Sequence, residues 1–516
     1  MTIRTWVAAA MLALGIAAPA RATWQQASSR HFRVYSDEPP DKVSAFATML
    51  ERFDKAMRVM RGMGDPPFSP TQRLTVFVIK DVDALQRLLG DRNAAGVYMP
   101  RISGPVAFVP RKTNETGKLA LTPQAVLLHE YAHHFMFSSW GDKPFPAWFV
   151  EGFAEFNATM VFQPEQLIIG APPLYRANGL INDDLVPMRD LLTLSPQDKR
   201  VQGVETQVFY GRAWLLTRYM LLNAERRPLL SAYLTALDKG KDVKSAAPLL
   251  GDPRQLDRAL NAYARQRLPL LGLKIADLPI APVTVRALTP GEEAIMPVVL
   301  RSTRGVSAKT APGVAVAARK IAADWPNDPA VQVALAEAEF DAGQYAAADA
   351  AAGRALAAVP DLRGALIYRG MAQSAQAQKD HVTDAARWKA IRRSFLRANH
   401  LDPEDPWPLV AYYNAMRVSS EPMTPNTEKG LAYAFALAPF DTGLAMQVAA
   451  MHLRNKQWDA AVPALRRVAY DPHGGGLATL AAAVLTVVES RDPKALEQVA
   501  AALDRAKPDG DGDDKD

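Results

Sequence analysis

His129, Glu130 and His133 form the pattern H-E-x-x-H inside the apolar run Leu127-Leu128-His129-Glu130-Tyr131-Ala132-His133. Histidines four positions apart lie on one face of a 3.6-residue helix, one turn from each other. Two imidazole nitrogens so placed can share one zinc ion, and the glutamate between them can act on a metal-bound water. A catalytic zinc takes three protein ligands and keeps a fourth position open. Glu151 is the candidate third ligand, on a second expected helix that starts near Pro146. The stretch between His133 and Glu151 leaves room for a loop and a turn of helix. Glu155 falls one turn further on the same face, where it can accept the free N–H of a zinc-bound imidazole and fix its orientation. His134 points about 100° away from the ligand face and is read as a packing or supporting residue. His31, His381, His400, His452 and His473 show no ligand spacing and receive no role.

These residues need elements to carry them. Thr122 caps the first helix and Pro123 suits its first position; the helix is expected to run to about Phe137 and to break at Gly141-Asp142-Lys143-Pro144. Upstream, His31–Tyr35 alternates like a strand. Residues from about Asp41 to Met60 repeat apolar side chains at helical spacing. Leu74–Ile79 is a further strand candidate, a short helix follows through Leu85 to Leu89, and Gly96–Met99 and Val106–Val109 are two more strand candidates. Further helices are expected at about 207–223 and 253–268. Pro269, Pro279, Pro282, Pro290 and Pro297 mark residues 271–305 as an extended, proline-rich connection.

The chain has 516 residues, 49% of them hydrophobic and 22% charged, which is ordinary for two or three globular domains. Its net charge of +6 is mild and dispersed, and argues against nucleic acid as a partner. There is no cysteine, which excludes disulfides, thiolate ligands, a cysteine nucleophile and a lipid-modified N-terminal cysteine. Arg4, the apolar stretch Trp6–Ala18 and the small-x-small site Ala20-Arg21-Ala22 read as a secretory signal over residues 1–22. The expected location is therefore an exported one, the periplasm or exterior of a bacterium. No later segment is long and apolar enough to span a membrane, so no integral segment is expected after signal removal.

Beyond about Gly305 the chain turns alanine-rich. Gly343-Gln344-Tyr345 is followed by Ala348, Ala352, Ala355-Leu356 and Pro360. Prolines recur at 326, 360, 403, 439 and 472, and Ala398 and Ala434 precede theirs by the same interval as Ala355. Trp458 and Ala461 repeat the pair Tyr345 and Ala348. The period is close to the about 34 residues of the tetratricopeptide repeat, which residues 306–500 resemble; a generic alanine-rich helical bundle is the other reading. The acidic tail, 501–516, is expected to be disordered.

H-E-x-x-H followed by Trp148-Phe149-Val150-Glu151-Gly152-Phe153-Ala154 resembles the gluzincins, the peptidase MA-like group that includes thermolysin and the aminopeptidase N family. The likeness spans roughly residues 30–270. Val150 departs from the asparagine of the aminopeptidase N segment, and the G-x-M-E-N exopeptidase signature is absent. The resemblance implies His129, His133 and Glu151 as ligands of one Zn2+ and Glu130 as the catalytic base. Phe209-Tyr210-Gly211-Arg212 resembles the helix whose tyrosine hydrogen-bonds the oxyanion, which makes Tyr210 the candidate; a core-packing tyrosine is the alternative. The expected fold is thus an α+β zincin-like catalytic domain over 23–270, a small mixed sheet plus helices, followed by an all-α tetratricopeptide-type solenoid. The expected function is an exported zinc metallopeptidase of gluzincin type, an endopeptidase in preference to an exopeptidase, acting on a peptide or protein that the repeats help to bind. Two alternatives stand beside it: a silent zincin fold that serves with the repeats as an interaction scaffold, and a hydrolase of a non-peptide amide.

Overall fold

The computed structural model describes residues 23–505, apart from 66–67, 114–116, 118, 178–179, 181–185, 195–204 and 420. The expected signal segment lies outside the described residues, as do residues 506–516 of the expected tail. The coarse layout is a mixed α/β N-terminal region followed by an all-helical region.

The N-terminal region is built on a mixed sheet. Its strands are β1 (Gln25–Ser28), β2 (Phe32–Ser36), β3 (Leu74–Ile79), β4 (Val97–Met99) and β5 (Val106–Pro110). β2, β3 and β5 run parallel, while β1 and β4 pair antiparallel on their outer sides. β3 is flanked on both sides, and its continuous Val-Phe-Val-Ile run is buried, as parallel strands covered on both faces require. Between β2 and β3, helix α1 (Pro40–Val59) buries Val43, Ala47, Leu50, Phe53 and Met57, a single apolar stripe at helical spacing. α2 (Val82–Leu89) begins at Asp81, whose carboxylate caps Ala84 N–H, and ends at Gly90 in the left-handed region.

Two consecutive helices follow. α3 (Pro123–Trp140) carries H-E-x-x-H, and α4 (Ala147–Ala158) carries Glu151 and Glu155. Every residue of α4 is buried, so it is a central helix. A small antiparallel sheet comes next, with strands β6 (Val161–Phe162) and β7 (Gln166–Ile169). Helix α5 (Glu205–Leu222) packs along the other side of α4, and α6 (Arg227–Asp238) and α7 (Pro253–Ala264) pack in turn on α5.

Residues 271–305 are not a free extended connection. β8 (Leu271–Lys274) pairs with β7, and β9 (Thr284–Ala287) pairs with β1 and becomes the sixth strand of the large sheet, order β4-β5-β3-β2-β1-β9. α8 (Pro290–Thr303) then starts with a capping box, Thr289 to Glu292 N–H and Glu292 back to Thr289 N–H. Pro290 occupies the first turn of this helix, a position where proline favours a helix start.

From α8 onward the chain forms helices packed on their sequence neighbours: α9 (Ala311–Asp324), α10 (Pro329–Asp341), α11 (Tyr345–Ala358), α12 (Arg363–Lys379), α13 (Ala385–Leu401), α14 (Pro406–Val418), α15 (Pro425–Leu437), α16 (Thr442–Arg454), α17 (Trp458–Ala469), α18 (Gly475–Ser490) and α19 (Pro493–Arg505). The recurring prolines 326, 360, 403, 439 and 472 each stand just past a helix end. Ala348, Ala352, Ala355, Ala398, Ala434 and Ala461 are fully buried, which lets the helices approach closely.

The array folds back onto the N-terminal region. The Ser69 and Thr71 hydroxyls both donate to Asp402 Oδ2, and Gln72 Nε2 donates to the carbonyls of Glu404 and Leu437. Phe440 packs against His134 with ring centroids 4.8 Å apart, and the Arg467 guanidinium lies 3.8 Å from the Phe137 ring centre. One hydrophobic core accordingly runs from Phe32 and Leu128 through Val410 and Phe440 to Val488. Among the described residues, no helix is long and apolar enough to cross a membrane.

Candidate metal centre

α3 starts as its sequence dictates: the Thr122 hydroxyl accepts the Ala125 N–H at 3.1 Å, with Pro123 in the first turn. Its back is tied to α1, because the Tyr131 hydroxyl donates to Asp54 Oδ1 at 2.9 Å while Arg58 Nε donates to Asp54 Oδ2 at 2.7 Å. Its front carries His129 and His133, both buried, with their Nε2 atoms 3.0 Å apart. Glu130 sits between them, half-buried.

α4 brings Glu151 to this pair. Oε2 of Glu151 lies 3.4 Å from His129 Nε2 and 3.5 Å from His133 Nε2. Donors each about 2 Å from a tetrahedral zinc stand about 3.3 Å from one another, so this triangle has the size of a zinc ligand set. The chemistry agrees. Glu151 is completely buried, and among the described residues none gives either of its oxygens an aligned hydrogen bond. Its ion-pair contacts among the described residues are to histidines alone. A buried carboxylate without a lysine or arginine calls for a cation. Burial would raise its carboxyl pKa, but His473, His133 and His129 outweigh burial and hold it well below the ordinary value. Among the described residues, His129, His133 and Glu151 are the group whose ligand atoms converge in this way.

The placement of Glu151 depends on its neighbour. Gly152 faces α5 so closely that a Cβ would collide with the Thr217 hydroxyl and with the Ala213 backbone, whose carbonyl carbon would be 2.8 Å away. The absent side chain is what lets α4 press against α5.

Glu155 stands one turn beyond Glu151, fully buried, with Oε1 3.5 Å from His129 Nδ1. That nitrogen is turned away from the ligand triangle, so the carboxylate can set the ring's tautomer and orientation. Glu155 is itself held by Arg176, with Nε and Nη2 at 2.9 and 2.8 Å, and by the Tyr175 hydroxyl at 2.8 Å. His133 differs: among the described residues its buried Nδ1 has no hydrogen-bond partner, and its ring packs against Phe137. Burial pushes the pKa of His129 down, but Glu151 and Glu155 outweigh it and leave it raised.

Tyr210, on α5, lies beside His129 with ring centroids 5.9 Å apart, and the Arg176 guanidinium covers its ring at 4.9 Å. Burial first, then the Glu151 carboxylate, raises its phenol pKa far above the usual value, so the hydroxyl keeps its proton and can donate. His134 faces away from the triangle, toward the array. Its Nδ1 meets the Tyr98 hydroxyl at 2.7 Å, and burial lowers its pKa to about 3, so it is a neutral packing residue.

The structure also brings in a residue that sequence spacing passed over. His473, in the turn between α17 and α18, reaches Glu151 Oε1 with its Nε2 at 3.2 Å, and its ring meets that of His133 edge-on at 5.3 Å. Burial works against its charged form, but Glu151, with Glu130 and Asp471 adding, lifts its pKa to about 9. Nothing local in Asp471-Pro472-His473-Gly474 marks this role, nor does the sequence around Tyr175-Arg176 mark theirs.

The chain was compared with protein-family models, with curated proteins and with solved structures, and none matched.

Proposed function

We propose that this protein is an exported zinc-dependent peptidase of the gluzincin type, cleaving within peptide chains, with a tetratricopeptide-type array that helps to hold a protein substrate. The observation that carries the reading is the buried triangle of His129 Nε2, His133 Nε2 and Glu151 Oε2, with a glutamate on the same turn of helix. Zinc, when bound, is a Lewis acid that polarises a carbonyl and acidifies water.

The side chains divide the remaining work. Glu130 takes the proton from the attacking water at its carboxylate and delivers it to the leaving amine nitrogen. Tyr210 donates its phenolic proton in a hydrogen bond to the oxygen that gains charge when the scissile carbon becomes tetrahedral. Glu155, braced by Arg176, orients His129 through Nδ1. Phe137, stacked on the His133 ring, and Tyr210, beside the His129 ring, crowd the two imidazoles, and a drier site strengthens each of these interactions.

The test is Glu130→Gln. The variant should take up one zinc per chain, as the wild type does, and should lose at least a hundredfold in hydrolysis of an unfolded protein substrate. Undiminished hydrolysis by Glu130→Gln, or a wild-type chain that takes up no zinc, would overturn the reading.

A further inference from the structure

His473 comes from the helical array, yet it approaches the same carboxylate that faces the two histidines of α3. The carboxylate is thereby divided between partners. Oε2 is turned to His129 and His133, and Oε1 to His473. A carboxylate free to rotate can offer a metal either oxygen or both; one whose second oxygen is engaged offers one.

The approach of His473 is set by a chain of contacts. The Arg467 guanidinium lies over the Phe137 ring, one turn beyond His133 on α3. Arg467 donates to the carbonyls of Pro439 and Phe440 and pairs with Asp471 at 3.1 Å. Asp471 Oδ1 then accepts the His473 backbone N–H at 2.9 Å. The half-exposed ring of His473 is thus held at the mouth of the site. Its position there follows from how the array docks on α3.

With zinc at His129, His133 and Glu151, as proposed above, we propose that His473 is a positioning residue for that centre: by engaging Oε1 of Glu151 it presents Oε2 as the single oxygen of that carboxylate to the metal, so that the docked array completes the site. His473 does not bind the metal itself; its Nε2 stands 3.2 Å from Oε1 of the carboxylate.

Zinc affinity by competition with a chromogenic chelator, on the full chain, tests this. His473→Ala should bind zinc about tenfold more weakly than the wild type, the lower end of what losing such a support costs. His473→Gln, whose amide N–H can still reach the carboxylate, should recover most of that loss, an outcome that simple loosening of the turn would not give. Cobalt-substituted wild type and His473→Ala should share one visible absorption pattern, since no ligand is removed. Melting of the metal-free proteins should differ little, as the side chain is half-exposed. Equal zinc affinity in wild type and His473→Ala, or a cobalt spectrum that reports a lost nitrogen ligand, overturns the positioning role while leaving the metal centre standing. Failure of the wild type itself to bind zinc overturns both.

Discussion

Arg176 and Glu155 form a buried ion pair 2.8 Å long, with 9% of the arginine side chain and none of the carboxylate exposed. The same carboxylate faces His129. Removing the guanidinium strands a charge in the core, which is far costlier than losing a surface pair. Arg176→Met should lower unfolding free energy by about 3–5 kcal/mol in urea titrations. Adding Glu155→Gln to that variant should return much of the loss, because the stranded charge goes with it. A loss below about 0.5 kcal/mol would mean that water reaches the pair.

Gly152→Ala addresses the seam between α4 and α5. The added methyl has nowhere to go but into backbone, so the helices must separate. Overpacking of this kind destabilises by about 1–3 kcal/mol, and here it also moves the adjacent Glu151. We expect a lower melting temperature together with weaker zinc binding. A variant as stable as the parent would show that α4 and α5 can shift apart freely.

Tyr210→Phe keeps the ring beside His129 and deletes the donor. Zinc affinity and melting temperature should stay at the wild-type level, and kcat should fall about 100-fold with KM little changed. An equal fall in binding and turnover would instead give Tyr210 the role of a packing residue.

How much of this was legible in the chain depended on whether the signal was local. Thr122-Pro123 marked the start of α3, the four-residue step marked His129 and His133, and the same step on α4 linked Glu151 with Glu155. The strands β2, β3 and β5 showed in their β-branched and aromatic runs. Residues 271–305 were harder. Their prolines suggested a linker, but Pro290 opens a helix, and the prolines before it flank short strands whose partners lie far away in sequence. Arg176 and His473 act through tertiary contacts alone, and no periodicity records these. The docking of the array is equally non-local, since Ser69, Thr71 and Asp402 carry no sign of each other.

The array offers a pH-dependent prediction away from the His129–Glu151 cluster. Glu337 of α10 faces Asp341, Tyr368 and Arg101; burial, then the Asp341 charge, raises its pKa to about 7. The unfolded carboxyl releases its proton near pH 4.5, so the folded chain binds more protons between pH 4.5 and 7, and stability falls as pH rises through that window. Melting temperatures should be higher at pH 5 than at pH 8. Glu337→Gln should flatten that difference and melt above the wild type at pH 8. A wild type whose stability climbs toward pH 8 and a variant with the same slope would reject the assignment.

The turn that carries His473 stands close to the end of the described chain, and the helix it reaches lies in the first third. A polypeptide made from its N-terminus at about 5–20 residues per second therefore has its histidine pair well before it has His473. During that interval the Phe137 side of α3 lacks the cover of Arg467 and Phe440. The cover of Phe137 by Arg467 and the contact of His473 with Glu151 arrive only once the chain has been made through that turn, so both are timed by the length of the array.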